Sequence, residues 1–111
     1  MDTTTLSALA EPNRLQIVEL LREGPLTVGE IAETLQIRQP QASKHLRVLG
    51  EAGIVAAHAD ANRRIYQLRK EPFIQLDKWL ASYRNIWEER LDSLDDYLKV
   101  LQKKDESQKD E

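Results

Sequence analysis

Twelve residues in the middle of the chain, RQPQASKHLRVL, constrain the fold more than any other stretch. Ala42, Leu46 and Leu49 recur at spacings of four and three residues, which predicts a helix with one buried face. Pro40 falls in its first turn, where the missing N–H is tolerated. The other side is polar or basic, and no acid occurs between Arg38 and Leu49. Such a helix packs on a domain with one side and presents a cationic surface with the other.

Shorter helices are predicted before this one. Thr3–Ala10 forms the first, and a second begins at Pro12 and ends before the Gly24-Pro25 pair. A third begins at Thr27, whose hydroxyl and the carboxylate of Glu30 have the spacing of a capping box. The third helix and the basic helix are separated by only a few residues. Two short helices joined in this way predict a helix-turn-helix.

The hydrophobic period then changes. Ile54–His58 and Arg64–Leu68 are rich in β-branched and aromatic residues, and the intervening ADAN segment supplies Asp60 and Asn62 for a turn. The expected fold class is therefore mainly α with a small β-hairpin, a winged helix-turn-helix covering residues 1–70.

A long helix is predicted from Glu71 onward, because apolar residues recur every three or four positions over about seven turns. They are Leu76, Leu80, Tyr83, Trp87, Leu91, Leu94, Leu98 and Leu101. The stripe is longer than a small domain can cover, so residues 71–102 are predicted to be a C-terminal dimerisation helix. Residues 103–111 are polar and are predicted to be a frayed or disordered tail.

Charge is unevenly distributed along the chain. The net charge is −3, yet residues 36–70 hold seven basic and two acidic residues, whereas residues 1–35 and 71–111 are each acidic overall. A cationic middle third suits a polyanion, because the local field and not the total charge steers it. The chain has no cysteine, which excludes disulfides and thiolate metal sites. No apolar run is long enough to span a membrane, so a soluble, cytoplasmic protein is expected. No cofactor is expected.

In this order the segments resemble the ArsR-type (arsenic-repressor-like) family of bacterial winged-helix regulators. The similarity rests on LAEPNRLQIVELL (Leu9–Leu21), LTVGEIAETL (Leu26–Leu35), QPQASKHLRVLGEAGIV (Gln39–Val55) and RRIYQL (Arg63–Leu68). The resemblance implies a homodimer that binds double-stranded DNA at an imperfect palindromic operator and represses nearby genes.

The family's metal-sensing residues are missing from this chain. Its paired cysteines would fall on Thr27 and Gly29, and its histidine site on the last helix has no counterpart, because the histidines are His45 and His58. The resemblance is therefore to a cysteine-free, non-metal-sensing subgroup, whose C-terminal helix is similar to Trp79–Leu98.

Nine side chains are expected at the DNA: Gln39, Gln41, Ser43, Lys44, His45, Arg47, Arg63, Arg64 and Thr27. Those in the first turns of the basic helix would read base edges, and Arg47 would contact phosphate. The alternative for these helix residues is that they are simply solvated. His45 is suited to packing as well as to a DNA contact. One of the two hairpin arginines is open to pairing with an acid. Thr27 is first a helix cap and second a phosphate contact.

The side chains expected at a dimer interface are Leu6, Leu9, Leu80, Tyr83, Trp87, Leu91, Leu94 and Leu98. The aromatic residues of this stripe, with Trp79 and Tyr97, suit interface packing, and lining a pocket for an unknown small-molecule effector is the alternative. Asp92, Asp95 and Asp96 suggest a solvated face and not catalysis, since no nucleophile or histidine accompanies them.

The leading hypothesis is a sequence-specific, homodimeric transcriptional repressor, released from its operator by an unknown signal, with no enzymatic activity and no membrane partner. The alternatives are a winged-helix protein-interaction module and a metal-responsive repressor of the same fold.

Overall fold

A computed structural model describes residues 2–109, and the side chains of residues 2–104. In chain order the elements are α1 (Thr3–Leu9), α2 (Pro12–Leu21), β1 (Leu26–Thr27), α3 (Val28–Leu35), α4 (Gln39–Glu51), β2 (Val55–Asp60), β3 (Arg63–Leu68) and α5 (Glu71–Lys109). The chain divides into two units, residues 1–75 and residues 76–111. No described helix has both the length and the apolar character needed to cross a membrane.

The core of the first unit is built from apolar side chains contributed by α2, α3, α4 and the segment that follows α4. Its largest fully buried members are Ile17, Ile31, Leu46, Leu49 and Ile54. The stripe predicted for α4 is thus confirmed as its buried face. Burying each such side chain stabilises the fold by about 1.5–3 kcal/mol, which fixes the side of α4 that faces the core.

The helix-turn-helix is formed by α3 and α4. The capping box predicted at the start of α3 is present: Glu30 N–H donates to Thr27 Oγ1 at 3.2 Å, and Thr27 N–H donates to Glu30 Oε1 at 3.0 Å. At its other end α3 stops at Gln36, whose φ of 55° is left-handed. This turn redirects the chain into α4 within three residues.

The sheet has three antiparallel strands in the order β1-β3-β2, one more than the predicted hairpin. β1 contributes only Leu26 and Thr27, which pair with Tyr66 and Ile65. Two residues are too few to show an alternating pattern in the sequence. The hairpin itself is longer than predicted, because β2 continues to Asp60, which is paired with Arg63.

The second unit is the larger part of α5. The helix reaches Lys109, so residues 103–109, predicted to be a frayed tail, are helical; residues 110 and 111 lie outside the described residues. No glycine or proline follows Pro72, and the lysine, glutamate and glutamine residues that end the chain are good helix formers.

Candidate nucleic-acid interface

The outer face of α4 presents the polar and basic side chains that the sequence predicted there. All five of the following are exposed: Gln39, Gln41, Ser43, Lys44 and Arg47. Their neighbours Ala42, Leu46 and Leu49 are almost completely buried. The buried stripe therefore fixes which side of the helix faces outward, and that side carries no carboxylate before Glu51.

A groove lies between α4 and the hairpin. It has a volume of about 440 Å³ and is lined by Val28, Ser43, Leu46, Arg47, Gly50, Val55, Ala57, Arg64 and Tyr66. Ser43 and Arg47 come from the helix, whereas Arg64 comes from β3. The fold thus brings two predicted interface residues of α4 together with one of the hairpin, across about 20 residues of sequence.

The two hairpin arginines have different surroundings. Arg64, opposite Ala59 in the ladder, lines the groove, whereas Arg63 pairs with Asp60, with Nη2 3.9 Å from Oδ2. Successive side chains of a strand point to opposite faces, so Arg63 leaves the groove side. Arg63 is therefore the hairpin arginine that pairs with an acid, and Arg64 is the one that joins the helix residues.

Arg47 has an acidic neighbour one turn along the helix. Its Nε lies 3.2 Å from Glu51 Oε1, and the two side chains are 82% and 67% exposed. A pair this exposed contributes less than about 1 kcal/mol, so a phosphate can displace the carboxylate. Within residues 2–104 neither Lys44 nor Arg64 forms an ion pair, which leaves both cations available to a polyanion.

The start of α4 contains a functional candidate that the sequence analysis missed. Gln41 Oε1 accepts a hydrogen bond from the Arg38 N–H at 3.3 Å, so this side chain also caps the helix and keeps only its amide N–H₂ free to donate. Arg38 itself is the exposed N-cap residue. The signal for Arg38 in the sequence is that it begins the stretch without acids, together with Lys44 and Arg47.

Thr27 is not placed as a phosphate contact. Its hydroxyl donates to Glu30 Oε1 at 2.9 Å and accepts from the Glu30 N–H, so both hydrogen-bonding roles are filled. The Thr27 N–H, the Thr27 hydroxyl and the nearby Arg63 hold the pKa of Glu30 below its ordinary value of 4.5. A carboxylate at this position would repel phosphate, so the capping interpretation of Thr27 is the one that the structure supports.

His45 is likewise separated from the predicted interface. Its side chain is 18% exposed, and its Nδ1 lies 3.7 Å from Glu11 Oε2 at the start of α2. The imidazole therefore packs between α4 and α2, which was the alternative to a DNA contact. The reason is its position beside Leu46 and next to the buried stripe.

Most of the residues predicted for a dimer interface are exposed in the single chain. Leu6 is 38% exposed, and those of α5, namely Leu80, Tyr83, Trp87, Leu91, Leu94 and Leu98, are each 47–59% exposed. Leu9 differs, because it is half-buried against the core of the first unit, where it supports the fold. Tyr97 and Leu101 of the predicted stripe are exposed too, and the exposed apolar surface is wider than predicted because it also includes Ile86 and Val100.

Within the part of the chain that the structure describes, no three histidine, aspartate or glutamate side chains come together as metal ligands. Asp92, Asp95 and Asp96 are all exposed on α5, and Asp95 pairs with Lys99 at 3.2 Å.

Comparison with known proteins identifies the family. The sequence pattern of "Bacterial regulatory protein, arsR family" matches residues 11–57, which extend from the start of α2 into β2. The crystal structure of an ArsR family transcriptional regulator is similar with a TM-score of 0.68 and 32% identity, over 78% of this chain and 89% of that one. The chain belongs to the ArsR family.

Individual ArsR-family relatives differ in how much they share with this chain. The HTH-type transcriptional regulator Rv2034 of Mycobacterium tuberculosis is 48% identical over 61 residues, which are 55% of this chain and 57% of that protein. The transcriptional repressor SdpR of Bacillus subtilis is 31% identical over 70% of this chain and 87% of its own. A homodimeric winged helix-turn-helix DNA-binding domain from Mycobacterium bovis has a TM-score of 0.63 and 29% identity, over 75% of this chain and 77% of that one.

Proposed function

We propose that this ArsR-family protein is a homodimeric transcriptional repressor that binds double-stranded DNA sequence-specifically at a palindromic operator. The observation that carries the proposal is the groove in which Ser43 and Arg47 of α4 meet Arg64 of the hairpin, beside the exposed Lys44. Gln39 and the free amide of Gln41 are donors and acceptors suited to base edges, and the three cations supply phosphate contacts.

Dimerisation is supported by the apolar stripe of α5. From Leu80 to Leu101 the helix rises by about 32 Å, and its apolar side chains remain roughly half exposed over that whole length. A second copy presenting the same stripe would cover it, as expected for a two-fold symmetric pair. Such a dimer would carry two recognition helices α4, about 34 Å apart if they enter successive major grooves.

Repression and its relief follow from the same picture. A bound dimer would occlude a promoter, and SdpR, a relative over most of its own length, is a repressor by name. A signal would release the dimer by favouring an arrangement in which the two α4 helices no longer match the groove spacing. The aromatic side chains of the α5 stripe, among them Trp87 and Tyr97, would be the place for a small-molecule effector.

The test is selection of bound sites from random DNA, followed by anisotropy measurements of the selected duplex over a range of salt concentrations. We expect two inverted half-sites with centres about ten base pairs apart, and a steep loss of affinity with salt. The matched control is the Lys44→Glu/Arg64→Glu variant, which should lose binding while keeping its fold. No binding of any duplex at low salt would overturn the proposal, and a bound site without symmetry would overturn its dimeric form.

A further inference from the structure

Among the described side chains of the first unit, one buried polar atom has no hydrogen-bond partner. It is Nδ1 of His45, which is buried although it lies on the recognition helix α4 directly after Lys44. The nearest charged group is the Glu11 carboxylate, at 3.7 Å. That distance is too long for a hydrogen bond and short enough for one to form after a shift of less than about 1 Å.

The Glu11 carboxylate is held in place independently of His45. It caps α2, since Oε2 accepts a hydrogen bond from the Arg14 N–H at 2.8 Å. Arg14 in turn donates from Nε to the Ala8 carbonyl oxygen, which fixes the start of α2 against the end of α1. The partner that faces His45 is therefore a fixed anion at a helix N-terminus.

The other elements packed against α4 offer no competing carboxylate. On α3 the Glu30 side chain is bound to Thr27, and on β2 the Asp60 side chain pairs with Arg63. Within residues 2–104 no carboxylate other than that of Glu11 lies within 4 Å of a His45 ring nitrogen. Protonation of the imidazole would thus act on one contact, between α4 and α2.

We propose that His45 is a positioning residue that links DNA binding to pH: when it takes up a proton from solvent, Nδ1–H donates to Glu11 and fastens α4 to α2. Histidine is the side chain that most commonly serves as a proton-dependent switch in proteins. With the contact closed, α4 is held in the orientation in which its outer face meets DNA. The inference rests on the proposed function, and it predicts tighter binding at pH 6 than at pH 8.

The experiment measures the affinity of the selected duplex at pH 6 and pH 8, at fixed ionic strength, for four proteins. They are the unaltered chain, His45→Gln, Glu11→Gln and His58→Gln. Glu11→Gln keeps an oxygen that can cap α2 but removes the charge, and His58→Gln removes the other histidine, which is exposed on β2. We expect affinity to be about two- to fivefold higher at pH 6 for the unaltered chain and for His58→Gln, and nearly equal at both pH values for the other two variants.

A second readout does not depend on DNA. Urea unfolding of the same proteins and of the His45→Gln/Glu11→Gln double variant gives the interaction between the two side chains, which should be present at pH 6 and absent at pH 8. Equal interaction at both pH values, or a pH effect on affinity that survives Glu11→Gln, would overturn the inference. If no variant binds DNA at any pH while the interaction still appears in unfolding, the proposed function fails and the proton-linked contact stands.

Discussion

The helices α4 and α5 both carry an apolar stripe at helical spacing, yet they bury it very differently. In α4, Leu46 and Leu49 are 1% and 0% exposed, whereas in α5, Leu91 and Leu94 are 59% and 51% exposed. The first helix is enclosed by α2, α3 and the sheet of its own unit. The apolar stripe of α5 remains exposed along its described length. One stripe therefore stabilises a domain, and the other remains free to stabilise an assembly.

Folding and assembly thus depend on separate parts of the chain. The first unit buries its own core and can hold the outer face of α4 in position. The second unit loses little internal packing when its stripe is altered, because those side chains make few contacts within the chain. Substitutions in the two stripes should therefore separate loss of fold from loss of dimer.

The largest expected effect is on the dimer. Leu91→Glu with Leu94→Glu would place four carboxylates in a two-fold interface, at a cost of several kcal/mol for each one that stays charged and unpaired. We expect a monomer by sedimentation velocity, with helical content retained in the first unit. The matched control is Asn85→Glu with Lys99→Gln, which changes the net charge by the same amount at exposed positions away from the stripe. A dimer that persists in the first variant would show that the interface lies elsewhere.

The next effect is on folding of the first unit. Leu46→Ala removes a side chain that is 1% exposed, and such cavities cost about 2–5 kcal/mol. Urea unfolding should show this loss in the transition of the first unit, while Lys44→Ala, two positions away on the exposed side, should leave it within about 0.5 kcal/mol. If Leu46→Ala were equally mild, the buried face of α4 would have been assigned wrongly.

The same contrast explains which parts of the molecule could be predicted from sequence. Helix-turn-helix and wing follow from signals that act over a few residues, such as the period of Leu46 and Leu49 or the capping box at Thr27. The strand at Leu26 could not be predicted, because its pairing with Tyr66 joins residues 40 apart in the chain. A local pattern contains no information about such a partner.

Within the candidate site, the side of the helix was predictable and the partner of each side chain was not. Period alone places Gln39 and Lys44 outward. His45 lies at the border of the stripe, where a small rotation of the helix would change its side chain from packed to exposed. The sequence does not show that Glu11 lies beside it. Likewise, the pairing of Asp60 with Arg63 depends on the register of the hairpin. The ADAN segment did not show that β2 continues for two residues beyond His58.

A smaller effect distinguishes the two hairpin arginines. Because Arg64 lines the groove and forms no ion pair within residues 2–104, Arg64→Ala should weaken binding to all duplexes and reduce the slope of log affinity against log salt by about one. Arg63→Ala should reduce the slope by less, since the Arg63 side chain lies on the face of β3 that points away from the groove. Anisotropy at several salt concentrations measures both. Equal slopes for the two variants would mean that Arg63 leaves Asp60 for a phosphate.

The smallest effect concerns Thr27, which the structure assigns to stability. Thr27→Ala removes the N-cap of α3 and should lower the free energy of unfolding by about 1 kcal/mol, with the salt slope of DNA binding unchanged. Thr34→Ala, in the same helix, is the control, because its hydroxyl only returns to the Glu30 carbonyl oxygen at 2.8 Å.

The pH dependence of the Thr27 effect has a definite sign. Since the pKa of Glu30 is lowered in the folded protein, its share of the capping box is fully present above 4.5 and is lost as the pH falls through the lowered value. The stability difference between Thr27→Ala and the unaltered chain should therefore be constant near neutral pH and become smaller in acid. A reduced salt slope in Thr27→Ala would instead show that this hydroxyl leaves Glu30 to bind phosphate. The start of α3 would then belong to the DNA interface.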